Sequence, residues 1–126
     1  MANQYKGEIK GKLGDKERTF RLTFENIVGI ESRSGKSIMD ISSSIASNTF
    51  SFKDILNVLH EGLMGAGGKY TVEAVGDMIM KTGVSSCAII TAQLVSTIFT
   101  GSDNIEEDSP LVQGENEQKS TQSSNT

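Results

Sequence analysis

The segment from Ser51 to Gly83 constrains the fold most, because two helix patterns lie on either side of a glycine-rich turn. Its sequence is SFKDILNVLHEGLMGAGGKYTVEAVGDMIMKTG. Apolar residues recur every three or four positions on both sides of the turn, which is the spacing of one helix face. Ser51 and Thr71 can cap the two helices, and the glycines at 65, 67 and 68 are poorly tolerated inside a helix. We predict helices at about 51–64 and 71–82, the second ended by Gly83.

Residues 7–24 alternate apolar and polar side chains, a pattern of period two that is typical of strands. Ile9 and Leu13 would share one face of a first strand, and Phe20, Leu22 and Phe24 one face of a second. Gly14 to Lys16 would form the turn. We predict a β-hairpin, and because a lone hairpin is marginal in water, its apolar face must pack on helices or on another subunit.

Three further helices follow from the same spacing. Thr23 can cap a helix at about 25–33, and Ser37 can cap another at about 37–47 in spite of the serines at 42–44. The last helix covers about 85–100, and its apolar face is wider than one buried seam needs. The predicted fold class is therefore α+β and mostly α, with an N-terminal β-hairpin packed on a small bundle of four to five short helices.

Charge divides the chain into a body and a tail. Residues 1–101 hold 11 basic and 10 acidic side chains, whereas residues 102–126 hold 1 basic and 6 acidic side chains. The second part has too few apolar residues to offset the entropy of folding. We expect a single domain at 1–101 and a disordered acidic polar tail at 102–126.

The composition also indicates which classes of partner the protein can bind and in which cell compartment it is found. The near-neutral body has no basic stripe, so it lacks the electrostatic footprint of nucleic-acid binding. Cys87 is the only cysteine, so no intramolecular disulfide can form and nothing points to an oxidising compartment. The uncharged stretch between Lys81 and Asp103 contains many Ser and Thr residues, which argues against a membrane span. We expect a cytoplasmic protein that binds neither nucleic acid nor membrane.

Two glycine-containing segments could suggest anion binding. Gly29–Ser37, GIESRSGKS, resembles a P-loop, but its second glycine comes one residue late and a helix pattern rather than a strand precedes it. We interpret it as the end of one helix followed by the cap of the next. The glycines at 62, 65, 67 and 68 likewise follow a helix, which favours an interhelical turn over a phosphate site.

Little else in the chain could carry catalysis. His60 is the only histidine, and we expect it at the surface or the boundary of its helix. Cys87 lies on the apolar face of the last helix, where a cysteine behaves as a small buried hydrophobe. With no recognisable triad and no set of metal ligands, we predict no enzymatic activity and no catalytic, cofactor or metal site.

Methionines give the first candidates for partner binding. Met64, Met78 and Met80 lie at or near the edges of helical stripes, where such flexible side chains either fill gaps in a core or serve an adaptable binding surface. Both alternatives stay open. Together with Val95 and Phe99 on the wide face of the last helix, they form the predicted partner-binding set.

The order of these elements resembles a known family. The segments that carry the resemblance are RTFRLTF, ENIVGIESRSGKSIMDI, ILNVLHEGLMGAGGKYTVEAVGDMIMKTG and AIITAQLVSTIF, over about residues 5 to 100. They resemble the gene transfer agent and tailed-phage family of small tail proteins, classed with tail assembly chaperones and sometimes labelled tail tube proteins. The most specific piece is LHEGLMGAGGKYTVEAV, a helix end, a double glycine and a capped acidic helix start. Ile30 and Glu31 stand where family members tend to carry a leucine-glutamate pair.

The resemblance implies a non-enzymatic tail assembly chaperone that binds the tape measure protein, or other tail proteins, and is absent from the mature particle. It also leaves a homo-oligomer open. The alternative is a structural tail tube or tube-associated subunit, in which the hairpin would supply edge strands to a ring. A third hypothesis, a small nucleotide-binding switch, predicts ATP or GTP binding that depends on Lys36.

Overall fold

A computed structural model describes residues 7–100. In this range a two-stranded antiparallel sheet is followed by five helices: β1 (Ile9–Leu13), β2 (Lys16–Phe20), α1 (Phe24–Ser34), α2 (Ile38–Ala46), α3 (Phe52–Gly65), α4 (Val72–Thr82) and α5 (Val84–Thr100). The prediction of a mostly α, α+β fold with an N-terminal hairpin is confirmed. The tail predicted at 102–126 lies outside the described residues.

The hairpin has a two-residue turn. Its register pairs Ile9 with Phe20 and Leu13 with Lys16, so the turn consists of Gly14 and Asp15 rather than the predicted Gly14 to Lys16. Gly14 has a φ of 77°, a conformation that glycine adopts without strain. Leu13 and Phe20 are fully buried, as the alternating pattern predicts.

Phe24 does not lie on the strand face, so that prediction is wrong. The strand ends at Phe20, and Thr23 caps α1, which makes Phe24 the first residue of a helix. Its side chain is 79% exposed, whereas Leu22 packs against the core from the connecting segment. The alternation of apolar residues continues past the end of the strand, but the N-cap at Thr23 starts a helix there instead.

Side-chain caps set the helix boundaries. Thr23, Ser37, Ser51 and Thr71 each accept a hydrogen bond from the backbone N–H three residues later, as expected for N-caps. Asn26 and Asp54 complete capping boxes at the starts of α1 and α3. Because these signals are local, the predicted helices agree with the observed ones to within one residue at each end.

α3 is the central helix. It contacts α1, α4, α5 and β2, and nine of its 14 residues are buried. One side of it joins the apolar core, which holds side chains from both strands and all five helices of the described range. The other side carries buried polar residues and faces α1.

Two glycines of α3 allow the end of the hairpin to lie against the helix backbone. The amide of Arg21 donates a hydrogen bond to the carbonyl of Gly62 at 2.9 Å. A Cβ at Gly62 would come within 2.6 Å of Leu94 Cδ2, and a Cβ at Gly65 would collide with the carbonyl oxygen of Arg21. Gly65 is the last residue of α3, one residue beyond the predicted end at 64, and its absent side chain is also a packing requirement.

Substituting Gly65 with alanine tests this close approach. Gly65→Ala should lower the free energy of unfolding by about 1–3 kcal/mol, the usual cost of overpacking. Gly76→Ala is the matched control, since a Cβ in the interior of α4 meets no atom within 4 Å, and should raise the free energy of unfolding by about 0.5–1 kcal/mol. Urea denaturation measures both variants, and similar effects at the two positions would contradict the packing described here.

Candidate interaction surfaces

A polar seam joins α1 to α3 around the carboxylate of Glu61. Asn26 Nδ2 donates to Glu61 Oε1 at 2.9 Å, and Arg33 Nη1 lies 2.9 Å from Oε2. A Cβ at Gly29 would approach Oε2 to 3.1 Å, so the glycine makes room for the carboxylate. Both oxygens of this buried group are therefore engaged in holding two helices together.

His60 is buried in the same region, and the prediction of a surface or boundary histidine is wrong. The residue is 7% exposed because the chain at Tyr70 folds back over α3. Nε2 lies 2.8 Å from the carbonyl oxygen of Tyr70, which can only accept, so Nε2 carries the proton. Nδ1 then accepts from Arg33 Nη1 at 3.4 Å. Neither nitrogen faces a space where a substrate could bind as a partner for base catalysis.

The segment that resembles a P-loop is a junction between helices, which confirms that interpretation. Gly35 takes the left-handed conformation at φ 72° and ends α1, and Ser37 caps α2. Lys36 Nζ lies 3.0 Å from Asp54 Oδ2, and the side chain of Asp54 is 2% exposed. The lysine thus neutralises a buried carboxylate at the start of α3.

Replacing Lys36 separates this role from nucleotide binding. Lys36→Ala should lower the free energy of unfolding by about 1 kcal/mol, because Asp54 loses a charged partner while the exposed end of the lysine limits the effect. Lys53→Ala, at an exposed position next to Asp54, should change it by less than about 0.5 kcal/mol. Neither ATP nor GTP should raise the melting temperature of the wild-type chain, and a nucleotide-dependent rise that Lys36→Ala abolishes would contradict this assignment.

Metal and thiol chemistry have little support in residues 7–100. No group of three or more His, Cys, Asp or Glu residues in this range could hold a metal ion. Cys87 is fully buried on α5, as predicted, and burial raises the pKa of its thiol. Since the thiolate is the reactive form, the folded state disfavours reaction at Cys87.

Thiol labelling measures this protection. At neutral pH an aromatic disulfide reagent should modify Cys87 far more slowly in the folded protein than in urea. Ser86→Cys adds a thiol at the preceding, exposed position of the same helix and should react at once. Equal rates for the two thiols in the folded protein would show that the region around Cys87 opens readily.

The described helices also bear on membrane insertion. Within residues 7–100 no single helix is long and apolar enough to cross a membrane. α4 and α5 meet the length and composition criteria only as a pair, bent by 117°.

The five predicted partner-binding residues do not form one surface. Met64 lines an open cavity of about 480 Å³ beside the turn that joins α3 to α4, and Met80 is exposed on α4. Met78 is half-buried beneath Gly14 of the hairpin. Val95 and Phe99 both line a separate groove. Their role in partner binding stays a prediction.

The groove between α2 and α5 is apolar and carries no charge. It has a volume of about 330 Å³ and is lined by Ser42, Ile45, Ala46, Ala92, Val95, Ser96, Phe99 and Thr100. Val95 is buried at its base and Phe99 is half-exposed. We call it the α2–α5 groove.

Sequence reasoning found only the α5 side of this groove. A signal for both sides exists, because no charged residue occurs between Asp40 and Lys53 or between Lys81 and Asp103. The first stretch covers α2 from Ile41 onward and the second contains α5, and only the tertiary structure brings them together.

A second apolar feature lies on α1. Phe24 is the most exposed of the large apolar side chains in residues 7–100, and Val28, one turn later on the same helix face, is 48% exposed. Asn26 and Arg33 face α3 and Ile30 lies in the core, so these two side chains point away from the core. We call Phe24 and Val28 the α1 knob.

The model of a family described as "Phage tail tube protein, GTA-gp10" matches residues 6–101, which include both strands and all five helices described above. The chain belongs to this family. The predicted membership of a phage or gene transfer agent tail family is therefore confirmed. No curated protein and no solved structure matches the chain.

Family membership corrects the predicted function. A tail assembly chaperone that binds the tape measure protein was expected, but the matching family is described as a tube protein. The chaperone hypothesis is therefore contradicted, and the tape measure protein has no support as the specific partner. Membership of a structural tail family indicates contacts with other tail proteins and is consistent with a protein that is not an enzyme.

Proposed function

We propose that the protein is a structural tail tube or tube-associated subunit of a phage-like particle or gene transfer agent. The observation that carries this proposal is the match to a tail tube family over residues 6–101. The match is not confined to one motif but extends over the whole described fold. A tube-associated subunit is made in the cytoplasm of the bacterial host and is present in the mature particle.

The polar groups of the fold support a structural role. Glu61, Arg33 and His60 hold α1, α3 and the start of α4 together, and Lys36 neutralises Asp54. Among them Asp54, His60 and Glu61 are buried, and each contributes to the fold. The remaining candidates for function in this range are exposed apolar surfaces, which are characteristic of protein–protein contacts.

A ring or tube requires each subunit to contact at least two neighbours. In residues 7–100, β1 and β2 pair only with each other, so the outer edge of each strand is unpaired by another strand. Exposed lysines at positions 10, 12 and 16 lie along the hairpin, and lysines discourage uncontrolled strand pairing at sheet edges. Edge pairing between subunits stays a hypothesis, and helical surfaces are the alternative means of contact.

The copy number in purified particles tests the proposed function. Mass spectrometry with isotope-labelled peptides should find the protein in tailed particles, at a copy number that is a multiple of the number of subunits in one tail ring. Particles stripped of tails provide the control, because the protein should be lost together with them. A protein that is required for tail assembly but absent from tailed particles would overturn the proposal.

A further inference from the structure

The α1 knob and the α2–α5 groove are chemically complementary. The knob presents one aromatic and one branched aliphatic side chain, and the groove is lined by uncharged side chains. Ser42, Ala46, Ala92 and Ser96 are small, so they leave space between the two helices. Insertion of the knob would bury apolar surface without removing any charge of the groove from water.

From these features, and resting on the proposed tube function, we infer that the α1 knob of one copy of the chain occupies the α2–α5 groove of the next copy. The groove has a volume of about 330 Å³, at the lower end of the range of about 300–1,000 Å³ in which pockets accept small organic ligands. A phenyl ring and a neighbouring isopropyl group are within that capacity.

The position of the two features determines the kind of assembly. The knob lies on α1 and the groove lies between α2 and α5, so each copy offers one of each. Pairing of two different patches is head-to-tail, and it generates either a closed ring or an open filament. A symmetric dimer would instead use the same patch on both copies. The arrangement therefore matches the requirement of a repeating tail structure.

The size of the contact determines how it behaves in solution. A phenylalanine buries about 150–250 Å², so Phe24 at 79% exposure offers about 160 Å². A stable binary interface buries about 800 Å² on each partner. The knob alone supplies a minor part of that area, so two copies should associate weakly, and closure of a ring should strengthen each contact.

Two variants each remove one side of this contact. Phe24→Asp removes the knob and leaves the groove, whereas Ala46→Lys blocks the groove and leaves the knob. Both positions are exposed, so each variant should keep its fold, and circular dichroism melting checks this. Phe52→Asp is the matched control, because it makes the same change at the first residue of α3, where the phenylalanine is 39% exposed and lies outside the groove.

Analytical ultracentrifugation over a wide concentration range should show that the wild-type full-length chain and Phe52→Asp associate beyond the dimer. Phe24→Asp and Ala46→Lys should each remain monomeric. An equimolar mixture of these two should form heterodimers and nothing larger, because only one knob and one groove remain to pair. Wild-type protein that stays monomeric throughout, or association that survives both substitutions, would overturn the inference.

Disulfide trapping gives the second measurement. Val28→Cys and Ala92→Cys, mixed under mild oxidation, should form a mixed dimer at least tenfold faster than either variant alone, while the buried Cys87 stays in place. Phe52→Cys mixed with Ala92→Cys should show no such acceleration. Equal rates in the two mixtures would overturn the inference.

Failure of the contact and failure of the proposed function give different results. If removal of residues 101–126 abolishes association whereas Ala46→Lys does not, the copies associate through the C-terminal residues and not through the groove, and the inference fails. If the protein is present in tails at ring stoichiometry but associates through other surfaces, only the contact is wrong. Absence from tailed particles would instead remove the proposed function.

Discussion

The close approach of the hairpin's end to the backbone of α3 is the contact on which the other packing depends. Arg21 can reach the carbonyl of Gly62, and lie against Gly65, because neither glycine has a side chain. That contact fixes where the chain turns from the sheet into α1. Asn26 then serves both helices, since its side-chain oxygen accepts from the amide of Thr23 and its nitrogen donates to Glu61. These contacts hold the end of the hairpin, the start of α1 and the middle of α3 against one another.

The orientation of α1 has a direct effect on the surface. The side of α1 that faces α3 combines polar groups at Asn26 and Arg33 with Ile30, which is fully buried in the core. Phe24 and Val28 lie on another side of the helix and are exposed. The polar seam and the exposed apolar pair are therefore two results of the same orientation of α1.

Features encoded by neighbouring residues were predictable from the sequence, and features that depend on distant residues were not. Thr23, Ser37, Ser51 and Thr71 cap helices through contacts three residues away, so the helix bounds were predicted within one residue. Burial of His60 depends on Tyr70 folding back over α3, which no local pattern contains. The α2–α5 groove needs two helices separated by α3 and α4 in the chain. The resemblance identified the tail family correctly but assigned the wrong role within it.

The absence of charge in the α2–α5 groove determines how physical conditions act on anything that binds there. Burial of uncharged apolar surface is driven by the release of water, and this driving force weakens on cooling. Salt screens interactions between charges, so moderate ionic strength has little effect on such a contact. A subunit contact formed in this groove would therefore loosen in the cold and persist across a range of salt concentrations.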